Sequence, residues 1–198
     1  MGPDAAHEIL THSARDGANV FYGSVEGLAT GVGLLIDSVD FARFDEVDDR
    51  FRVESGLVYV LSHECDLEPA NDRLLNELAL VCPVLDLESF LAEASEQGVA
   101  DTTLKSFLSN LSARNVSRAI YLPPIEGRLP LGGLLYLNLM SSTATQHLAT
   151  RPKVCAVTAY GHRVIDMALE NHFRREKSEP LPLTGATVRQ SIEIRGKR

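Results

Sequence analysis

The residues best suited to do chemistry stand together in one short segment, SHECD at positions 62–66, where a predicted strand leads into a loop. Catalytic and binding groups often occupy strand ends, because the strand fixes their direction and the loop leaves them accessible. If the strand continues, His63 and Cys65 share one face of it. A cysteine beside a protonated imidazole has a lowered pKa and can act as a nucleophile. We therefore take Cys65, His63 and Asp66 as candidate catalytic residues.

The same segment supports two other interpretations. His63, Cys65 and Asp66 could bind zinc, with a further ligand from elsewhere in the chain: Cys82, His147 or His162. Alternatively, Cys65 is a small buried hydrophobic residue, and His63 and Asp66 hydrogen-bond the following loop. Alternate residues of one strand face stand ~7 Å apart, too far for a direct hydrogen bond unless a turn closes the gap. This spacing favours the structural interpretation, and we predict no metal.

Two further groups are candidates for ligand binding. Asn71 and Arg73 follow the strand end and could form a polar loop with Asp66, although turn capping accounts for the same residue types. Arg118 and Arg128 lie on either side of a proline-rich loop and could meet a phosphate or a carboxylate. The sequence has no Walker, HExxH or CxxC pattern and no complete dinucleotide fingerprint, so we predict no cofactor.

The spacing of apolar residues predicts the elements that position these groups. A branched apolar run opened by Gly56 predicts a strand over residues 57–63. A second run, LALVCPV at 78–84, predicts a strand that ends at Pro83, because the N–H that proline lacks would end a central ladder there or push the strand to an edge. Apolar residues at i, i+3, i+4 and i+7 predict helices over 86–97 and 101–114.

The remaining segments complete the secondary-structure prediction. Three later strands and a last helix over 162–175 follow the helix pair. The acidic cluster at 45–49 is interpreted as a solvated loop or a helix start. The glycines between 23 and 33 indicate bends or close approaches of the backbone.

This order of elements predicts an α+β fold. We expect a central, largely antiparallel sheet or a small SH3-like barrel of about five to seven strands, with about three to four helices. Residues 1–18 are expected to form a loosely ordered N-terminus, 19–177 a single α+β domain, and 178–198 an extended or flexible basic tail.

Composition narrows the class of protein. The chain has 198 residues, a formal charge of −8 and 44% apolar residues, which is typical of a globular protein. No apolar run is long enough for a membrane span, and the N-terminus does not resemble a signal peptide. Three scattered cysteines fit a reducing compartment. We therefore expect a cytoplasmic protein without a membrane partner.

Three stretches, VYVLSHECDLEP, NELALVCPV and VCAVTAYGHRVIDMALENHFRR, together resemble a loosely defined set of uncharacterised bacterial proteins. The shared features are a strand-end Ser/Thr-x-x-Cys-Asp-Leu segment, which is residues 62–67 here, and a late strand and helix that end in a Phe-Arg-like pair. That resemblance implies no particular activity. The chain more distantly resembles the SH3-like barrels of MazF/PemK toxins, which implies a ribonucleolytic surface. It departs from those toxins in its greater length, its acidic charge and the lack of their Gly-Asp-Ile opening strand.

Taken together, these features predict a bacterial binding or accessory protein of a stress-response or phage-defence system, with its site at His63, Cys65 and Asp66. The alternative is an enzyme, either a Cys-dependent hydrolase or a MazF-like endoribonuclease toxin. We expect a protein partner or a homo-oligomer. Cations gather after residue 150, so a basic C-terminal face could meet nucleic acid, but the acidic total disfavours that partner.

Overall fold

The computed structural model describes residues 2–13, 17–45, 48–67 and 77–173. Two candidate ligand-binding residues, Asn71 and Arg73, lie outside the described residues, as does the predicted tail at 178–198. The described helices are α1 (Pro3–Ser13), α2 (Ala18–Phe21), α3 (Glu64–Leu67), α4 (Leu87–Glu96), α5 (Asp101–Ser112), α6 (Thr145–Thr150) and α7 (Ala159–Phe173). The strands are β1 (Tyr22–Gly23), β2 (Leu34–Asp45), β3 (Arg50–Val60), β4 (Leu78–Asp86), β5 (Ala119–Leu122), β6 (Gly133–Tyr136), β7 (Ser141–Ala144) and β8 (Lys153–Val157).

The fold is α+β with a central antiparallel sheet, as predicted. The strand order is β1-β8-β2-β3-β4-β6-β5, and β7 pairs with the same edge of β4 as β6 does. The sheet has eight strands and the described chain has seven helices, so both numbers exceed the prediction. The excess comes from one-turn helices and a two-residue strand, which carry too little pattern to be recognised in a sequence.

The longest pairing is the hairpin of β2 and β3, which runs from Leu35 and Tyr59 at its base to Asp45 and Arg50 at its end, with a shift of register in β2 between Ile36 and Val39. The sequence placed the start of β3 at Gly56 and the acidic cluster in a loop or helix start. Both predictions were wrong, because β2 extends into that cluster and β3 begins at Arg50. Residues 50–53 and 55 are exposed and Glu54 is only half-buried, so no buried face imposes the alternation by which a strand is recognised.

Pro83 lies within β4 and does not end it. The strand continues to Asp86, and Pro83 faces Val58 across the β3 ladder. On its other edge β4 pairs first with β7 and then with β6, and a 3₁₀ turn at Leu137–Leu139 separates those two strands. Pro83 lies opposite that interruption, so its missing N–H removes no ladder hydrogen bond. The predicted strand end is therefore wrong, because the effect of Pro83 depends on how the neighbouring strands pair with β4.

Buried residues form a cluster on each face of the sheet. One face packs Leu35, Tyr59 and Cys82 against Val164 and Ile165 of α7. The other face packs Ile36, Val58 and Val60 against Leu67 of α3 and Leu148 of α6. Side chains of β3 alternate between these clusters, so the end of this strand is held from both sides.

A third cluster joins the predicted helix pair to the N-terminal helix. Asp86 accepts a hydrogen bond from the backbone N–H of Ser89 and caps the start of α4. Leu104, Leu108 and Leu111 of α5 are buried in this cluster, and α1 adds two buried residues, Ala6 and Leu10. None of the described helices combines the length and apolar character needed to cross a membrane.

Candidate functional site

The segment at residues 62–66 is a helical turn and not a continuing strand. β3 ends at Val60, and α3 begins at Glu64. The backbone N–H of Asp66 donates to the carbonyl of His63 at 2.9 Å, which closes the turn. His63 and Cys65 therefore do not share a strand face, and the premise of the strand-based nucleophile interpretation is incorrect. The turn closes the gap that strand spacing would have left between them.

Several contacts fix this turn to the sheet. The Ser62 hydroxyl accepts a hydrogen bond from the backbone N–H of Leu80 at 2.8 Å, and the Leu80 carbonyl accepts one from the N–H of Leu61 at 2.9 Å. At the other end, Leu67 is buried in the sheet core. The turn is thus anchored by hydrogen bonds before α3 and by apolar packing after it.

Gly31 provides a third anchor by allowing close approach of two backbones. A Cβ at this position would lie 2.7 Å from the Cβ of Glu64 and 2.9 Å from its Cα. No side chain fits at that distance without moving α3. The glycine-rich stretch predicted bends or close approaches of the backbone, but it indicated neither this position nor the partner. Pairing Gly31 with Glu64 requires the tertiary structure, since 33 residues separate them in the chain.

The His63 ring is hydrogen-bonded to the backbone of the turn. Its Nδ1 accepts a hydrogen bond from the N–H of Cys65 at 3.2 Å. A neutral imidazole that accepts through Nδ1 carries its proton on Nε2, so neither nitrogen can take the thiol proton while this bond persists. Cys65 is exposed, in contrast to the buried hydrophobic residue of the structural interpretation. His63 contributes to the turn as that interpretation expects.

The other two cysteines are buried to different degrees. Cys82 is fully buried opposite Tyr59, and burial raises the pKa of its thiol to about 12. Cys155 is partly buried, and burial raises the pKa of its thiol to about 11. Both thiols therefore stay protonated near neutral pH and are poor nucleophiles and poor metal ligands.

The residues considered for zinc lie in different surroundings. His147 is exposed on α6, whereas the half-buried His162 ring packs against Gly33, where a Cβ would lie 2.2 Å from it. Within the described ranges, no three His, Cys, Asp or Glu side chains converge as metal ligands.

His162 belongs to a polar contact that sequence reasoning missed. Its Nδ1 lies 3.5 Å from the Tyr59 hydroxyl. Burial, followed by the nearby Asp166 carboxylate, raises the pKa of Tyr59 well above its usual value. Tyr59 therefore stays protonated and can donate to His162. A positive φ of 88° at Gly33, where His162 packs, was not detectable from glycine content alone.

The candidate arginines form separate contacts. Arg128 is exposed and forms an ion pair with Asp37 of β2. Arg118 is exposed in the turn before β5, and its carbonyl accepts a hydrogen bond from the N–H of Leu137. A carboxylate of the chain itself thus takes the position at Arg128 that a bound anion would take.

A small cavity of about 60 Å³ lies between α5, β5 and α7. Its lining is mostly apolar, and Arg114 lies among the lining residues while donating a hydrogen bond to the Tyr160 hydroxyl at 3.2 Å. The described lining includes none of the candidate residues from the sequence. This cavity is therefore distinct from the turn at 62–67.

We compared the chain with models of protein families, with characterised proteins and with solved structures. No significant match was found in any of the three comparisons.

Proposed function

We propose that this protein is a binding or accessory protein that presents the turn at residues 62–67 to a partner protein. The observation that carries the proposal is a turn fixed at both ends whose four central side chains face solvent. His63, Glu64, Cys65 and Asp66 are exposed, whereas Leu67 anchors the turn in the core. A preorganised surface of this kind loses little conformational freedom when a partner binds.

The surroundings of the turn support a particular kind of partner surface. Glu64 and Asp66 provide two carboxylates, and the exposed side chains of Leu78 and Leu80 lie on the adjoining strand β4. Leu80 is in direct contact with the turn through Ser62. A partner that combines basic groups with an apolar side chain complements both features. We also propose that the protein is cytoplasmic and acts in stress response or phage defence, as expected from its sequence.

Site-specific photo-crosslinking in the native host tests this proposal. A photoreactive residue replaces Asp66 in one strain and the exposed Glu88 of α4 in a control strain. We expect a discrete adduct from position 66 that is absent from position 88. Glu64→Lys should abolish the adduct while the thermal unfolding transition stays unchanged. Equal adducts from both positions would show that the turn is not the binding surface.

One observation favours the alternative of a Cys-dependent enzyme, namely the exposure of Cys65 beside His63. That function requires the His63 ring to leave the N–H of Cys65 and act as a base. It predicts fast, pH-dependent labelling of Cys65 by iodoacetamide that slows at least about tenfold in His63→Ala. Equal labelling rates in both proteins would exclude a thiol activated by His63. The MazF-like endoribonuclease activity stays a prediction from the distant resemblance.

A further inference from the structure

One edge of β3 is left without a neighbouring strand over half of its length. β2 pairs with β3 from Arg50 to Tyr59, but β4 pairs with the opposite edge only from Val58 to Val60. β4 then turns away to pair with β6. The segment at residues 50–56, which we name the open edge, therefore has a strand on one side only within the described part of the chain.

Two hydrogen bonds show which main-chain groups face outward from the open edge. The N–H of Ala42 on β2 donates to the Ser141 hydroxyl at 3.2 Å, so it is directed away from β3. Residues opposite each other in an antiparallel ladder share their orientation, so the N–H and C=O of Val53, opposite Ala42, point away from β2. The N–H of Leu61 donates to Leu80 of β4 and confirms the same parity along β3.

The outward groups are therefore those of Phe51, Val53 and Ser55. Among the described residues, no backbone group forms a hydrogen bond with them on that side. Their side chains share one face, where Val53 is 78% exposed and Phe51 is 73% exposed. Phe51 also packs edge-to-face on Phe44, with ring centroids 5.3 Å apart. The open edge thus combines unused hydrogen-bonding groups with an exposed apolar row.

Charges on the opposite face of the open edge are arranged symmetrically about Val53. Arg52 precedes it and forms an ion pair with Asp48, Glu54 follows it and forms an ion pair with Arg43, and both side chains keep a substantial exposed area for a further partner. Charges of one sign protect an edge strand from pairing, because a second copy would bring like charges together. With opposite charges on either side of one residue, an antiparallel second copy places each cation opposite an anion. The open edge is therefore self-complementary.

We propose that two copies of this chain pair antiparallel through their open edges, with the two-fold axis at Val53. In this register Val53 faces Val53 of the second copy, and Phe51 faces Ser55. Arg52 and Glu54 face each other twice, in the closely spaced pairs that lack ladder hydrogen bonds. Ladder bonds join the outward groups, about six in all. The interface extends the sheet across both copies.

The position of Val53 within the open edge supports a second copy of the chain as the partner strand. Val53 is the centre of the charge pattern and lies in the middle part of the open edge. A two-fold register centred there pairs Arg50 with Gly56 and uses the whole segment, up to the point where β4 begins to pair at Val58. An isologous interface requires a register that is centred on one residue in this way.

Light scattering over a range of protein concentrations tests the proposal. We expect a dimer for the wild-type chain and a monomer for Val53→Lys, which places two cations on the axis. Val20→Lys alters another exposed valine, on α2, and should leave the dimer intact. Val53→Pro removes one outward N–H and no bond to β2, so it should also yield a folded monomer by circular dichroism.

Charge exchange tests the register. Arg52→Glu or Glu54→Arg alone should raise the dimer dissociation constant at least about tenfold, because each brings like charges together twice. The double variant restores both opposite pairs and should recover dimerisation. A dimer that persists in Val53→Lys, or a double variant no better than either single one, overturns the proposal. A wild-type chain that stays monomeric also overturns it and leaves the edge to a strand of another protein.

Discussion

The two halves of β3 differ in their surroundings, although one ladder joins both to β2. Val58 to Val60 are buried between two clusters, and Val58 and Tyr59 pair with strands on both sides. Arg50 to Val53 are exposed and have a strand on one side only. The buried half leads directly into the candidate turn, whereas residues 50–55 form the arm that carries most of the open edge. One strand can therefore position a site with one end and offer an interaction surface with the other.

The largest expected difference between the halves is in the loss of stability when a valine of each half is replaced by alanine. Val58→Ala should lower the free energy of unfolding by about 2–3 kcal/mol, because this side chain is 0% exposed and its removal leaves a cavity. Val53→Ala, in the same strand and of the same chemistry, should change it by less than about 0.5 kcal/mol. Urea unfolding of both variants at dilute protein concentration measures this. Equal losses would mean that the arm is packed in solution.

A second variant tests whether the candidate turn depends on the close approach of Gly31 to Glu64. Gly31→Ala places a Cβ against Glu64 and should cost about 1–3 kcal/mol, because α3 or the glycine segment must move. Gly17→Ala has no atom within 4 Å of the new Cβ and serves as the matched control. Thermal unfolding gives the stability change, and an unperturbed Gly31→Ala protein would contradict the close approach.

Alkaline pH should weaken the buried half through Cys82, which lies opposite Tyr59. The thiol ionises near its ordinary pKa of 9.0 in the unfolded chain but near 12 in the folded one. The folded state therefore retains a proton that the unfolded state loses, and stability falls as pH rises through this interval by about 1.4 kcal/mol per unit. Urea unfolding between pH 8 and pH 10.5 should show a shallower decline in Cys82→Ala. Val81→Ala, a buried neighbour without a titrating group, should lower stability while keeping the slope.

The smallest expected effect is a difference in amide hydrogen exchange between alternate residues of the arm. The N–H groups of Arg52 and Glu54 face β2, whereas those of Phe51 and Val53 face the open edge. In the monomeric Val53→Lys protein, amide hydrogens at 51 and 53 should exchange about tenfold faster than those at 52 and 54. Amide exchange followed by NMR resolves single residues. Uniform rates along the arm would argue against the proposed parity.

Burial explains which parts of this fold were predictable. The helix pair and the strand core at residues 57–60 were predicted because their apolar residues recur with the period of the element they form. The arm at 50–55 was missed because its pairing with β2 depends on main-chain hydrogen bonds, which leave no apolar pattern. Pro83 was misread because its effect depends on where the 3₁₀ turn of the neighbouring strand falls.

The candidate site also has features that the sequence predicted and features that it did not. The sequence by itself determined that His63, Cys65 and Asp66 follow a buried strand and that nearby glycines permit close backbone contact. Only the tertiary structure decided that a helical turn replaces the strand and that Gly31 supports Glu64. It also decided that the His63 ring bonds to the N–H of Cys65. The physical reason is that local sequence fixes residue types and short-range preferences, whereas contacts between distant segments depend on how the whole core packs.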